Sequence, residues 1–263
     1  APVGNSKCGA RITRRLAPDP RNPGPRRKDP LLQSPSRQPS SNQSHLHPKL
    51  AATVRRHLAA SPRKPVAPHN LAAFELLLAE LAARPRPLVL DSFCGTGHST
   101  AWLARRHPGH LVVGIDKSAH RLARHPHDPA GQYLLLQAEC EDLWRLLSER
   151  DIGVDHHYLL YPNPWPKAKH LQRRVHGSAG FYWLRQLAAT RPAGAAPGHI
   201  ELRSNWQIYV EEFGVAMHLA GFPGGVARVP PEAADLTLFE RKYRASGHAL
   251  WAYTGGTRGL PAA

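Results

Sequence analysis

From residue 70 onward the chain alternates short apolar runs with longer stretches of helical periodicity. Residues 88–91, 111–116, 132–137, 154–161 and 199–203 are compact apolar runs that predict buried strands. Between them, residues 98–107, 117–124, 141–150, 180–190 and 207–219 predict helices. Asn70 is placed to cap a further helix that runs to about Arg84, where Pro85 and Pro87 stop it. Residues 226–229 and 248–253 predict a terminal hairpin. Continuous apolar strands alternating with helices specify a parallel sheet covered on both faces, and right-handed crossovers restrict it to a doubly wound, Rossmann-like α/β fold. Such a fold binds ligands beyond the carboxyl ends of its strands, near the point where strand order reverses. Those ends are polar here, with Asp91, Asp116, Glu139 and Asn163 following successive strands.

Composition divides the 263 residues unevenly. Residues 1–70 hold 14 of the 35 Lys and Arg, two of the 19 acidic residues and 12 of the 26 prolines. Such a stretch has too little apolar surface to offset the entropy of ordering it. Residues 1–69 are therefore expected to be a disordered basic extension, and residues 70–263 a single domain. Three readings of the extension stand: an arm that attracts nucleic acid, sequence without a selected role, or a targeting peptide, for which its richness in Arg and Ser and poverty in acids speak. It lacks the apolar core of a secretion signal, and no run approaches the roughly 20 apolar residues of a membrane span. Cys8, Cys94 and Cys140 form no C-x-x-C pair and the 17 histidines are scattered, so no metal site and a reducing, cytoplasmic setting are expected.

Two loops carry the chemistry. Asp91-Ser92-Phe93-Cys94-Gly95-Thr96-Gly97 joins the first strand to a helix, and Asp116 ends the next strand 19 residues after Gly97. Gly95 and Gly97 permit a close backbone approach, and an acid at that distance commonly binds ribose hydroxyls. A dinucleotide would need a third glycine, which His98-Ser99-Thr100 does not supply. S-adenosylmethionine has no phosphate and favours an acid beside the loop, supplied by Asp91, while Glu139 stands where an adenine amino group would donate. The second loop, Tyr161-Pro162-Asn163-Pro164-Trp165-Pro166-Lys167, ends a strand abruptly and runs into Lys169, His170, Arg173 and Arg174. A short polar side chain between prolines, followed by an aromatic, suits a planar base, and the basic run beside it suits phosphates. Trp165 has two readings, stacking on the base or packing in the core.

With these blocks in view, residues 70–254 resemble the tRNA guanine-N7-methyltransferase family. The 161–167 loop with His170 and Arg173-Arg174 is similar to the family's Phe-Pro-Asp-Pro-Trp-x-Lys and His-x-x-Arg-Arg. Asn205-Trp206 with Tyr209 resembles a Thr-Asp-Trp-x-x-Tyr block, and Thr237-Leu238-Phe239-Glu240 resembles Thr-x-Phe/Tyr-Glu. The resemblance implies that Asp91, Gly95, Gly97, Asp116, Glu139 and Asn163 contact S-adenosylmethionine and that Asn163 holds the catalytic position. It further implies that Lys167, Asn205, Thr237 and Glu240 hold the substrate, and that Lys169, Arg173 and Arg174 contact phosphates of tRNA. It implies a monomer or homodimer acting on tRNA, without a membrane.

Three positions depart from the family. Phe93 replaces a glycine in the cofactor loop, and Asn163 and Asn205 replace aspartates. A carboxylate accepts two hydrogen bonds from guanine N1–H and N2–H, whereas an amide offers one acceptor and two donors. Guanine N7 carries a lone pair and no proton, so its methylation depends on positioning more than on a base. Three readings follow: the family reaction with a weaker grip, a relative retuned to another nucleobase (Asn-Pro-x-aromatic loops also resemble those of amino-group methyltransferases) or to a non-RNA substrate, and a catalytically weakened RNA-binding module.

Overall fold

A computed structural model of the chain describes residues 35–126, 131–190 and 198–256. The elements are α1 (Leu50–Leu58), α2 (Pro68–Ala83), β1 (Leu88–Ser92), α3 (His98–Arg106), β2 (Leu111–Asp116), α4 (Ala119–Leu122), β3 (Tyr133–Gln137), α5 (Cys140–Glu149), β4 (His156–Leu160), α6 (Phe181–Ala189), β5 (His199–Ser204), α7 (Gln207–Leu219), β6 (Gly224–Arg228), α8 (Leu238–Ala245) and β7 (Trp251–Gly256). Two 3-10 turns, Ala168–Arg173 and Val175–Gly177, follow β4. The seven strands form one sheet in the order β3-β2-β1-β4-β5-β7-β6. The first five strands run parallel, and β7 is antiparallel to both its neighbours. This is the doubly wound α/β sheet read from the sequence.

Every residue of β1 and β2 is buried, because both sheet faces are covered. Strand side chains alternate between faces. Leu88, Leu90, Leu111, Val113 and Ile115 join the larger core, whereas Val89 and Val112 join a smaller one with Leu103 of α3. The larger core includes Trp144 of α5, Phe181 of α6 and Phe213 of α7, all fully buried.

The expected disordered extension does not reach residue 69. Residues 50–58 form α1, which packs against α6 and α7. Leu50, Thr53 and Val54 make a buried stripe at helical spacing, while Arg55, Arg56 and His57 fall in the last turn, where the helix dipole favours positive charge. Burying Leu50 and Val54 contributes roughly 1.5–3 kcal/mol each against the ordering entropy that the polar composition suggested would win. Residues 1–34, including Cys8, lie outside the described residues.

Asn70 is also not a helix cap. Pro68 opens α2, and Asn70 is fully buried within its first turn. Its Nδ2 donates to Asp142 Oδ2 at 2.5 Å and its Oδ1 accepts from the Glu139 N–H at 3.1 Å, so one amide ties α2 to the amino end of α5. The terminal strands are antiparallel as expected, but α8 lies between them and the connection is not a tight hairpin. Among the described residues no helix is long and apolar enough to cross a membrane, and no group of three or more His, Cys, Asp or Glu side chains is arranged to hold a metal ion.

Histidine crowds the amino-terminal edge of the sheet. The rings of His107 and His156 stand 4.4 Å apart, with His110 and His199 at 5.6 Å and 5.8 Å from His156. Burial, reinforced by the neighbouring imidazoles, pushes the His107 pKa down to about 4, and burial alone pushes His157 down to about 3. Both take up protons more readily when unfolded, so their contribution to stability is complete above about pH 6.5 and is lost as pH falls toward 4. Asp91, raised to about 6 by burial, works in the opposite direction between roughly pH 4 and 6 but is a single group. The urea midpoint is therefore expected to fall between pH 7 and pH 4.5, and His107→Gln should flatten that decline.

Candidate active site

The strand order places β1 between β2 and β4: the chain runs outward from β1 through β2 to β3 and then crosses back to β4 on the other side of β1. The turn after β1 and the loop after β4 therefore open side by side at the carboxyl edge, with Ser92 paired in register to Leu159. These are the two loops singled out from the sequence.

In the first turn, Phe93, Gly95 and Gly97 all have positive φ, at 64°, 62° and 77°. Glycine adopts this region freely and phenylalanine does so at a cost, which accounts for glycine at the family position that Phe93 occupies. The Phe93 ring packs edge-on against Trp144 with centroids 5.8 Å apart, and its N–H donates to Cys140 Sγ. Asp116 holds the turn: its Oδ2 accepts the Gly95 N–H at 3.0 Å and its Oδ1 accepts the Ser118 N–H at 2.8 Å. Arg121 pairs with the same carboxylate at 3.0 Å. Asp91 is fully buried, and its Oδ2 accepts from Ser99 and Thr100 at 2.6 and 2.7 Å, while its Oδ1 has no partner. Burial is the main cause that lifts its pKa to about 6. Glu139 precedes α5 with its side chain about one-third exposed and meets His69 at 2.8 Å. Burial would raise its pKa, but hydrogen bonds to Asn70 and His69 outweigh that and hold it below the usual range.

These residues suit S-adenosylmethionine. Asp91 Oδ1 lacks the donor that an ammonium group would supply, directly or through water. A Cβ built on Gly95 would meet nothing within 4 Å, so a ligand has room over that turn. Glu139 offers an accessible acceptor. Asp116 is only 2% exposed and already accepts two backbone N–H groups, so its first role is to shape the turn.

In the second loop Tyr161 and Trp165 also have positive φ, at 54° and 45°. Strained non-glycine residues gather where the surrounding structure over-determines the backbone. Asn163 is exposed, and its Oδ1 accepts the Trp165 N–H at 3.3 Å, which leaves its Nδ2 donor turned outward. Trp165 is half-buried, with the Arg173 guanidinium 4.9 Å above its ring and His170 edge-on at 5.5 Å. Lys167, Lys169 and Arg173 are exposed along the continuation.

Arg174 does not belong with them. It is completely buried, and its Nη1 donates to Glu212 Oε2. Its Nε reaches the Trp165 carbonyl at 3.3 Å, its Nη2 reaches Gln43 Oε1 at 2.9 Å, and its guanidinium lies 4.9 Å over the Trp206 ring. The expectation that Arg174 contacts phosphate is therefore corrected: it fastens the loop to the core. Glu240 is corrected likewise. Its buried carboxylate pairs with Arg203 at 2.6 Å and accepts the Leu236 N–H at 2.9 Å, so it does not present itself to a base. Thr237 caps α8 by accepting the Glu240 N–H at 2.9 Å. The Thr-x-x-Glu spacing is a capping-box pattern and signalled α8, which the apolar periodicity had not.

Asn205 stands before α7 at the next strand end, with Nδ2 3.1 Å from His248 Nδ1. His248 Nε2 lies 2.9 Å from the Ser36 carbonyl, which only accepts, so Nε2 carries the proton and Nδ1 accepts from Asn205. The amide oxygen of Asn205 is left facing away from this chain of bonds. Neither Ser36 nor Glu212 was identified from the sequence, because neither lies in a motif.

Two outcomes are expected. Arg174→Ala leaves the Glu212 charge buried and should lower unfolding free energy by about 3–5 kcal/mol, whereas exposed Lys169→Ala should change it by less than about 0.5 kcal/mol, both read from denaturant titrations. A cationic cofactor meets ionised Asp91 only above about pH 6, so S-adenosylmethionine affinity by calorimetry should weaken as pH falls from 7 to 5, and Asp91→Asn should remove that dependence.

The family described as "Putative methyltransferase" matches residues 85–218. A tRNA (guanine-N(7)-)-methyltransferase of Nitrosospira multiformis is 30% identical over 190 residues, covering 66% of this chain and 76% of the relative. A protein of the same name from Saccharophagus degradans is 28% identical over 190 residues with the same coverage. Among solved structures, the 16S rRNA methyltransferase KamB superposes with a TM-score of 0.51 at 25% identity, covering 69% of this chain and 93% of that one. With its cofactor turn and the Asn163 loop on adjacent strand ends, the chain belongs to the tRNA (guanine-N(7)-)-methyltransferase family of S-adenosylmethionine-dependent methyltransferases.

Proposed function

We propose that this protein methylates N7 of a guanine in tRNA. The observation that carries the reading is the loop 161–167, which leaves β4 beside the cofactor turn and continues into exposed Lys167, Lys169 and Arg173. The relatives of that name support the substrate.

S-adenosylmethionine, when bound, supplies an electrophilic methyl group on a sulfonium. Asp91, Glu139 and the turn through Gly95 and Gly97, shaped by Asp116, would hold it. The residues around the base need only orient the nucleophile, since N7 has a lone pair and no proton to remove. The two asparagines suit guanine in complementary ways. Asn163 Nδ2 is a free donor, matched to the O6 acceptor, and Asn205 Oδ1 is a free acceptor, matched to N1–H or N2–H. An adenine amino group would meet the Asn163 donor head-on. The loss of two carboxylates therefore removes charge from the grip: position 205 keeps its acceptor, and position 163 exchanges an acceptor for a donor. Trp165, held under Arg173, would stack on the base. Lys167, Lys169 and Arg173 would neutralise phosphates, which makes the affinity salt-dependent. A cytoplasmic monomer or homodimer fits this role.

The full chain incubated with S-adenosylmethionine and unmodified tRNA, followed by nucleoside mass spectrometry, should accumulate 7-methylguanosine. Asn163→Ala should reduce the rate by about tenfold or more, in line with the loss of an orienting hydrogen bond. A different methylated nucleoside would refute the guanine assignment.

A further inference from the structure

Residues 35–49, ahead of α1, are a non-helical strap laid across the site and bonded to it at three places. At one end the Ser36 N–H donates to Ser246 Oγ at 2.9 Å and the Ser36 carbonyl accepts from His248, whose other ring nitrogen holds Asn205. In the middle, Ser41 Oγ donates to the Pro166 carbonyl at 2.5 Å. At the other end the Gln43 side chain and the His47 N–H both donate to Glu212 Oε1, at 2.7 and 2.8 Å.

Glu212 is the fastening point. It is fully buried in α7, and besides the two strap donors it takes Arg174 and His176 on its second oxygen. Burial opposes its ionisation, but the His176 N–H and the Arg174 charge hold its pKa down to about 2. Arg174 in turn donates to the Gln43 side-chain oxygen and to the Trp165 carbonyl. Strap and base loop are thus gripped by the same ion pair.

Between strap and loop lies a cleft of about 470 Å³ lined by Ser40, Ser41, Asn42, Lys167, Ala168 and Lys169. Its walls carry hydroxyl and amide groups on one side and two exposed lysines on the other, with no carboxylate. Neither lysine pairs with an acid among the described residues. Hydrogen-bond donors facing two uncompensated cations are the chemistry of a phosphodiester site.

We propose that the strap is one wall of the RNA-binding site: the cleft takes a backbone phosphate of the substrate RNA, and Glu212 is a positioning residue that sets the cleft's width by holding strap and loop together. The assignment rests on the tRNA reading above for the identity of the RNA. It explains why the asparagine that faces the base is linked through His248 to the strap: RNA seated against the strap and base seated against Asn205 share one hydrogen-bonded frame.

The test is tRNA binding by full-chain protein over a salt series, using an unmodified transcript, with S-adenosylmethionine affinity and thermal midpoint measured alongside. Asn42→Asp places a carboxylate in the cleft opposite Lys167 and Lys169. It should weaken tRNA binding about tenfold and reduce the slope of log affinity against log salt by roughly one phosphate equivalent. Gln43→Ala removes two strap contacts and leaves the Arg174–Glu212 pair intact. It should weaken tRNA binding by about threefold to tenfold with cofactor affinity near wild type, and lower the thermal midpoint modestly because Arg174 Nη2 loses a buried partner. Wild-type tRNA affinity and salt slope in both variants would overturn the proposal. Wild-type protein that binds tRNA without methylating it would count against the proposed reaction and still leave the strap readable. Wild-type protein that does not bind tRNA would overturn both.

Discussion

The site depends on one topological constraint. Parallel strands joined by right-handed crossovers cannot extend a sheet in both directions from the same start without reversing, and the reversal falls between β1 and β4. At that boundary the loops leaving neighbouring strands diverge to opposite faces and leave a crevice. The cofactor turn and the base loop flank it because they follow these two strands. Their chemistry is local, but their adjacency is a property of strand order.

Around the crevice, buried polar groups do the fixing. Asp116 shapes the turn through the Gly95 N–H, Asn70 ties α2 to the start of α5, and Arg174 with Glu212 ties the base loop to α7. Each is a hydrogen-bonded polar group taken out of water, where an unmade bond is expensive. That expense is what makes these contacts able to hold Phe93, Tyr161 and Trp165 at positive φ. The strained loops and the groups that sustain them are in direct contact, Asp116 with the Gly95 N–H and Arg174 with the Trp165 carbonyl, as a preorganised site requires.

The departures from the family acquire a physical meaning in this setting. Phe93 keeps the left-handed turn by packing on Trp144. Asn205 supplies the N–H that His248 Nδ1 accepts while His248 Nε2 donates to the Ser36 carbonyl, and an aspartate, which only accepts, would leave that first bond unmade in the same tautomer. The asparagine, the histidine and the strap therefore form one consistent set of hydrogen bonds.

The fold class, five central strands, the helices between them and the two loops that carry the chemistry are all legible in the chain alone. These are written in local periodicity, in Gly95 and Gly97 and in the proline-bounded Asn163, and local signals survive without knowledge of neighbours. Tertiary structure decided what periodicity cannot encode. Residues 50–58 are ordered because α6 and α7 offer a surface for Leu50 and Val54, despite a composition that argued otherwise. Arg173 and Arg174 are consecutive and chemically identical, yet one is exposed over Trp165 and the other is buried on Glu212. Glu240 reads as a pocket residue by motif and is a buried partner of Arg203. In each case the outcome rests on a residue far along the chain, and burial, which fixes the role of a charge, is a long-range quantity.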